Sequence, residues 1–453
     1  MKVHSIARSV EANTRERSGD QYIVRRNPDP ALHPFERARE YVRALNAVKM
    51  ERMFAKPFVA NFAGHRDGIY ALAADPHSLT RIVSGSADGD LRIWDLRLHK
   101  CARVLPSAHS AFIRSLVFCP SHNGQNVKFL SASDDHMIKL WGEKTKGGDD
   151  FENISTYRTT EVVLAVDHHR KDSYFMSSGG SGILEWIEDR SEPIRTFRYS
   201  SNDSYSALRI NPSQGDLFVA AGTSDRSIVL GDRRALQAIA KTTLATRTNA
   251  LAWNPIEPFE YITGNDDGKV YSFDMRRPNR PLSVFVDHVA AVMSLDYAPT
   301  GQSFVTGSYD KTIRIFDTFN NPNITVHSRD VYHTMRMQRV WSVAYSADAN
   351  YLLSGSDDGN VRLWKARADR PVGPIHRREA EAMQYKERLI ERFKEMPEVK
   401  RISRHRHLPK EIKSRTKVGR IHDEAVRQKA NKRITHCKSK ESLPNPLNDI
   451  VIH

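Results

Sequence analysis

The chain has 453 residues, 39% of them apolar and 27% charged. That apolar content excludes a wholly disordered chain, and no apolar run approaches the roughly 18 residues a membrane helix needs. A net charge of +15 points to acidic partners such as nucleic acid, while three widely spaced cysteines, Cys101, Cys119 and Cys437, exclude a disulfide scaffold and favour a reducing compartment.

The charge is unevenly placed. Residues 1–56 hold 12 Lys/Arg against 7 Asp/Glu, residues 57–366 hold 34 against 35, and residues 367–453 hold 23 against 12. Three regions are therefore expected: a basic N-terminal extension over 1–56, a charge-balanced centre over 57–366 and a basic C-terminal domain over 367–453. Met1 to Arg26 has no apolar core and does not read as a secretory signal. After Asn27, Pro28 and Pro30, Pro34 suits a helix start. Phe35, Ala38, Tyr41, Val42, Leu45, Val48 and Met53 recur at helical spacing and predict a helix over about 35–54. It is expected to pack on the centre, with a basic outer face open to RNA.

The centre is a repeat. GSADGDLRIWD (Gly85–Asp95) recurs as ASDDHMIKLWG, SSGGSGILEWI, GTSDRSIVLGD, GNDDGKVYSFD, GSYDKTIRIFD and GSDDGNVRLWK. The anchor runs Trp94, Trp141, Trp186, Gly231, Phe273, Phe316, Trp364, in steps of 47, 45, 45, 42, 43 and 48 residues. That period fits four strands per propeller blade. An apolar run and a turn precede each motif, and the motif itself reads as a hairpin. The reading is an all-β, seven-bladed β-propeller with basic helical N- and C-terminal extensions. Pro57–His65 supplies one spare strand, expected to complete blade 7 and close the ring.

An Asp stands six residues before the anchor in six repeats: Asp88, Asp135, Asp225, Asp267, Asp310 and Asp358. A Ser or Thr stands ten before it in five, including Ser84 and Ser354, and His65, His109 and His288 lie upstream. The pattern resembles the WD-repeat family, in which His, Ser/Thr, Asp and Trp share one hydrogen-bonded network per blade. On that resemblance His65, Ser84, Asp88, Asp135, Trp141, Asp310, Asp358 and Trp364 are structural. A buried Asp must be paired, and His can do it. Repeat 3 has Gly180 at the Asp position and repeat 4 lacks the Trp, so these blades are expected to be looser or remodelled.

A repeating His–Ser–Asp set is not a catalytic triad, which is a single constellation. No Walker loop is present, and neither His405/His407 nor His436/Cys437 has a second ligand pair at zinc spacing. No catalytic residue, cofactor or metal site is expected. His168 and His169, at a strand end, are expected to face solvent or back a turn.

The C-terminal region opens with a helix, RREAEAMQYKERLIERFKEM, stopped by Pro397, with Met383, Leu389 and Phe393 on an apolar stripe that reads as a partner-docking face. Lys400 to Arg420 then holds nine Lys/Arg against one acid, Glu411. Arg401, Arg404, Arg406, Lys410, Lys413, Arg415, Lys417 and Arg420 are the candidates for contact with RNA or a ribonucleoprotein particle. Ile402, Leu408, Ile412 and Val418 are interleaved among them, which a solvated tail would not need. A second short helix is expected from Asp423 to Arg433.

MKVHSIARS, NPDPALHPFERAREYVRALNAVKMERMFAKPF, RMQRVWSVAYSADANYLLSGSDDGNVRLW and YKERLIERFKEMPEVKRISRHRHLPKEI together resemble the WD repeat and SOF domain-containing proteins. That resemblance implies a non-enzymatic factor of the nucleus and nucleolus. It would act in the small-subunit processome with pre-rRNA, a box C/D small nucleolar RNP and other processome proteins, as a monomer within a large particle. In animals, similar proteins look like substrate receptors of a cullin-RING ubiquitin ligase, whose adaptor reads a WDxR-type motif. Trp94, Asp95 and Arg97 match that motif, and 231–234 and 273–276 match it loosely. A histone-tail reader remains a third class and would want an acidic or aromatic pocket at the propeller mouth.

Overall fold

The computed structural model describes residues 35–120, 127–144, 151–180, 182–199, 204–318, 325–436 and 451–452. The expectations for Met1–Pro34 and Cys437 lie outside these residues. The chain divides into two compact units, one of residues 1–57 with 367–407 and one of 58–366 with 408–453.

The second unit is a seven-bladed propeller. Blades 1 to 6 lie within 69–105, 113–158, 163–197, 205–244, 248–285 and 292–332. Blade 7 combines the three strands of 340–365 with Phe58–Ala63, which pairs antiparallel to Asn360–Lys365 (Phe58 opposite Trp364, Ala63 opposite Asn360). The spare N-terminal strand thus closes the ring, and the sheets keep no open seam there. Val451–Ile452 adds to the outer edge of blade 4, and Thr325–Val326 to that of blade 5.

Within blades the polar network varies. Blade 2 is complete. Trp141 Nε1 donates to Ser131 Oγ at 2.9 Å, Ser131 meets His109 Nε2 at 2.7 Å, and His109 Nδ1 meets Asp135 at 2.9 Å. Burial opposes ionisation of Asp135, but the bond from His109 and the amides of Ser110 and Met137 outweigh it and lower its pKa. Blade 6 keeps His288 between Asp310 (2.8 Å) and Thr306 (2.6 Å), with Phe316 in place of Trp. In blade 7, Trp364 bonds Ser354 at 2.9 Å and Asp358 pairs with Arg362 instead of a histidine. Blade 1 joins Trp94, Ser84 and His65, but Asp88 accepts the Arg66 and Asp90 amides and leaves His65 Nδ1 without a partner among the described residues.

The irregular repeats are refilled. In blade 3, Trp186 finds Ser177, nine residues away instead of ten. A side chain at Gly180 would strike the Glu161 carboxylate, its Cβ 1.9 Å from an oxygen. In blade 4, a Cβ on Gly231 would lie 2.3 Å from the Phe218 ring and 2.8 Å from the Tyr199 hydroxyl. Phe218 and Tyr199 occupy the missing tryptophan's place, so blade 4 is remodelled.

The first unit is helical: α1 (Glu36–Met53), α2 (Arg377–Arg392) and α3 (Pro397–Arg404). Its core brings Ala44 of α1 against Tyr385 and Leu389 of α2, with Phe393 beside them. Tyr41 meets Phe393 edge-on at 5.9 Å and donates to Glu398 at 3.1 Å, and Glu40 pairs with Arg392 at 2.9 Å. Pro397 stands at the first position of α3, where its missing N–H costs nothing. The remaining helix, α4 (Lys410–His436), replaces the short helix expected over 423–433. Ile412, buried, lies upstream of that window, and the helix begins thirteen residues earlier than Asp423.

Two outcomes test this network. Ser131→Ala strands two buried ring nitrogens and should cost about 2 kcal/mol or more, and Trp141→Ala about 3–5 kcal/mol, in urea unfolding. Tyr199→Phe should cost nothing, since that hydroxyl has no partner among the described residues. The second outcome concerns pH. Burial, with Arg92 nearby, lowers the His65 pKa to about 4 from its ordinary 6.5. A depressed histidine gives stability that is full above pH 6.5 and is lost as pH falls towards 4. The parent should therefore lose more stability between pH 7 and pH 5 than His65→Asn, read as the shift in unfolding midpoint.

Candidate functional site

Each blade carries a β-bulge at the start of its innermost strand, and the extra residue lines the mouth of the central channel. These residues are Tyr70, Arg114, Leu164, Ser206, Asn249, Met293 and Trp341, around a cavity of about 150 Å³. The ring is lopsided. Trp341 lies 4.3 Å from Tyr70 and 5.1 Å from Tyr309, and Tyr70 stacks on Phe112 at 5.8 Å. The Arg114 guanidinium sits 5.5 Å from both Tyr70 and Phe112, clamped by Asp134 at 2.7 Å. Arg339 covers Tyr309 at 5.4 Å, and Trp341 Nε1 donates to Asp357 at 3.2 Å. The chain's own arginines thus fill the cation positions over this aromatic arc. Sequence reading passed over these residues. The available signal was a variable residue before a small–aliphatic pair in every repeat (Tyr70-Ala71-Leu72, Arg114-Ser115-Leu116, Trp341-Ser342-Val343).

The basic candidates fall on separate elements. Arg401 and Arg404 are exposed on α3. Half-buried Arg406 donates to the carbonyls of Ser403 and His405, at 2.5 and 3.1 Å, at the end of that helix. Lys410, Lys413, Lys417 and Arg420 share one face of α4, at intervals of three, four and three residues, and Arg415 lies off it. All five are exposed, whereas Ile412, on the opposite side, is buried. From Lys410 to Arg420 the stripe runs about 15 Å. Val418 and Ile421 stand 67% and 59% exposed beside it.

The apolar stripe of α2 points inward: Leu389 is buried against Ala44, Phe393 meets Tyr41, and Met383 is half-buried.

At the blade 1 corner, Trp94 is buried and Asp95 accepts the Arg97 amide at 2.8 Å, forming a tight turn. The same turn recurs at Asp232–Arg234 and Asp274–Arg276, both at 2.9 Å. There the arginines are engaged: Arg234 pairs with Asp216, and Arg276 with Asp274 while stacking 4.6 Å from Phe259. Arg97 is exposed and makes no ion pair among the described residues.

Residues 366–447 match the Sof1-like domain family, and 56–95, 99–142, 279–317 and 330–365 match the WD domain, G-beta repeat. The matched repeats omit blades 3, 4 and 5, the two refilled ones among them. The chain is 43% identical over 449 residues to DDB1- and CUL4-associated factor 13 of Xenopus laevis, covering 98% of this chain and 97% of that protein. It is 43% identical over 441 residues to the Homo sapiens protein of that name, covering 97% and 96%. It is 41% identical over 460 residues to Protein SOF1 of Saccharomyces cerevisiae, covering 96% and 91%. Repeats, C-terminal domain and end-to-end similarity together place the chain in the family of WD-repeat proteins with a Sof1-like C-terminal domain.

Proposed function

We propose that the protein is a non-enzymatic scaffold in nucleolar small ribosomal subunit biogenesis. The propeller holds protein neighbours in the processome, and the Sof1-like region contacts pre-rRNA of the particle that includes a box C/D small nucleolar RNP. The observation that carries this is the exposed basic face of α4, built from Lys410, Lys413, Lys417 and Arg420, in a chain whose propeller is charge-balanced. Ammonium and guanidinium groups along one helix face follow a phosphate backbone and release its counterions. Val418 and Ile421 beside them offer apolar contact that a bare charge run lacks. Reversing all four basic residues to Glu should abolish crosslinking to pre-rRNA in cells and move the protein out of the nucleolus. With single-stranded RNA in vitro, removing these four phosphate contacts should flatten the slope of log affinity against log salt by about 3. An unchanged crosslink yield would overturn the reading.

A second reading is a substrate receptor of a cullin-RING ubiquitin ligase. The names of the vertebrate relatives describe association with DDB1 and CUL4. The supporting feature here is Arg97, exposed and held up by the Asp95 turn while its counterparts in blades 4 and 5 are ion-paired. Arg97→Ala should remove the adaptor from purified complexes and leave particle association intact; equal adaptor recovery would count against it. The histone-tail reader is disfavoured, because Arg114 and Arg339 already sit over the aromatic arc at the channel mouth.

A further inference from the structure

Where blade 2 meets blade 3, three ligand-bearing side chains converge. Cys119 follows the inner strand of blade 2, His168 ends that of blade 3, and Glu188 follows the third strand of blade 3. Their Sγ, imidazole nitrogen and carboxylate oxygen all lie within 4.8 Å of one another. Cys119 and His168 are 2% and 7% exposed, and Glu188 is half-buried. The expectation that His168 faces solvent is thus overturned; its ring stacks on Phe175, and His169 alone backs the turn, accepting the Asp172 amide at 2.8 Å.

The hydrogen bonds at His168 aim its Nε2 at a carboxylate. Its Nδ1 stands 2.6 Å from the His169 carbonyl and must donate to it. Its Nε2 faces a Glu188 carboxylate oxygen at 3.1 Å. In the neutral ring two lone pairs would oppose each other there, so either a proton or a metal ion lies between them. The second carboxylate oxygen of Glu188 already accepts from Lys128 at 2.9 Å. A ring N–H bonded to a backbone carbonyl and a carboxylate steadied by a further donor are the outer contacts that orient metal ligands. The thiol is the third mark: Cys119 is free and buried at this corner.

We propose that Cys119, His168 and Glu188 form a zinc-binding site that pins blade 2 to blade 3. Thiolate, imidazole and carboxylate together suit Zn²⁺, with a water completing a tetrahedral shell. Loading is a proton exchange: the Cys119 S–H bond breaks, a sulfur–zinc bond forms, and the thiol proton goes to solvent together with any proton held between His168 and Glu188.

The test uses the full chain, stripped by a chelator and titrated with Zn²⁺ against a chromophoric competitor. The parent should bind one zinc per chain and release at least one proton for each. Cobalt in place of zinc should give a thiolate-to-metal charge-transfer absorption. Cys119→Ser should abolish that band and weaken zinc more than about 100-fold, beyond what loss of an outer contact costs. His168→Gln and Glu188→Gln should each lose the zinc as well. Far-UV circular dichroism of the metal-free variants checks folding, and the proton count on the parent stands even where a variant fails to fold. A parent that takes up no zinc, or equal binding by parent and Cys119→Ser, overturns the site and leaves an ion-paired trio of His168, Glu188 and Lys128 beside a buried thiol.

Discussion

The ladder between Phe58–Ala63 and Asn360–Lys365 is the constraint on which the rest depends. It joins residues some three hundred positions apart, so the loop it closes is nearly the whole propeller. Without it, blade 7 would be a three-stranded sheet with an open outer edge, and Trp364, now packed edge-on against Phe58 at 5.5 Å, would lose that cover. Within the helical unit, α1 and α2, from opposite sides of the propeller in sequence, share one small core around Ala44 and Leu389.

That core explains a misreading of the flanks. The helical period of α1 and the stripe of α2 were both legible, because amphipathic spacing is local. What each stripe packs against is not local. Leu389 and Phe393 read as a docking face for a partner, yet in the structure they cover Ala44 and Tyr41 of the same chain. Glu51 of α1 carries the consequence of this packing. Burial and the carboxylates of Asp369 and Glu387 raise its pKa to about 7, a perturbation that no reading of α1 alone contains.

The propeller was legible for a different reason. Its signal is repeated seven times, so losing one member in one blade does not hide the period. The repeats fix the anchor, the hairpin Asp and the number of blades. They do not say what replaces a missing residue. Ser177 satisfies Trp186 from one position off the usual spacing, and Tyr199 fills the slot above Gly231 from the neighbouring blade's outer end. Cys119, His168 and Glu188 are invisible to spacing rules for the same reason, since they come together across a blade junction and not within a motif.

The repeats also divide labour between positions. Residues buried between sheets must keep shape and hydrogen bonding, so a change there, as at Gly231, is met by refilling from Phe218 and Tyr199. The bulge residue at each inner strand has no ladder partner, so it is free to differ: Tyr70, Arg114, Leu164, Ser206, Asn249, Met293 and Trp341 share almost no chemistry. A propeller can therefore acquire a particular mouth without disturbing its blades. Charge follows the same separation. Basic residues dense enough to hold a phosphate backbone would repel one another within a compact sheet unit. On α4, the exposed ammonium and guanidinium groups are spread along about 15 Å of helix, and water screens their mutual repulsion. The propeller's near-neutral balance and the flanks' excess are thus two answers to one electrostatic limit.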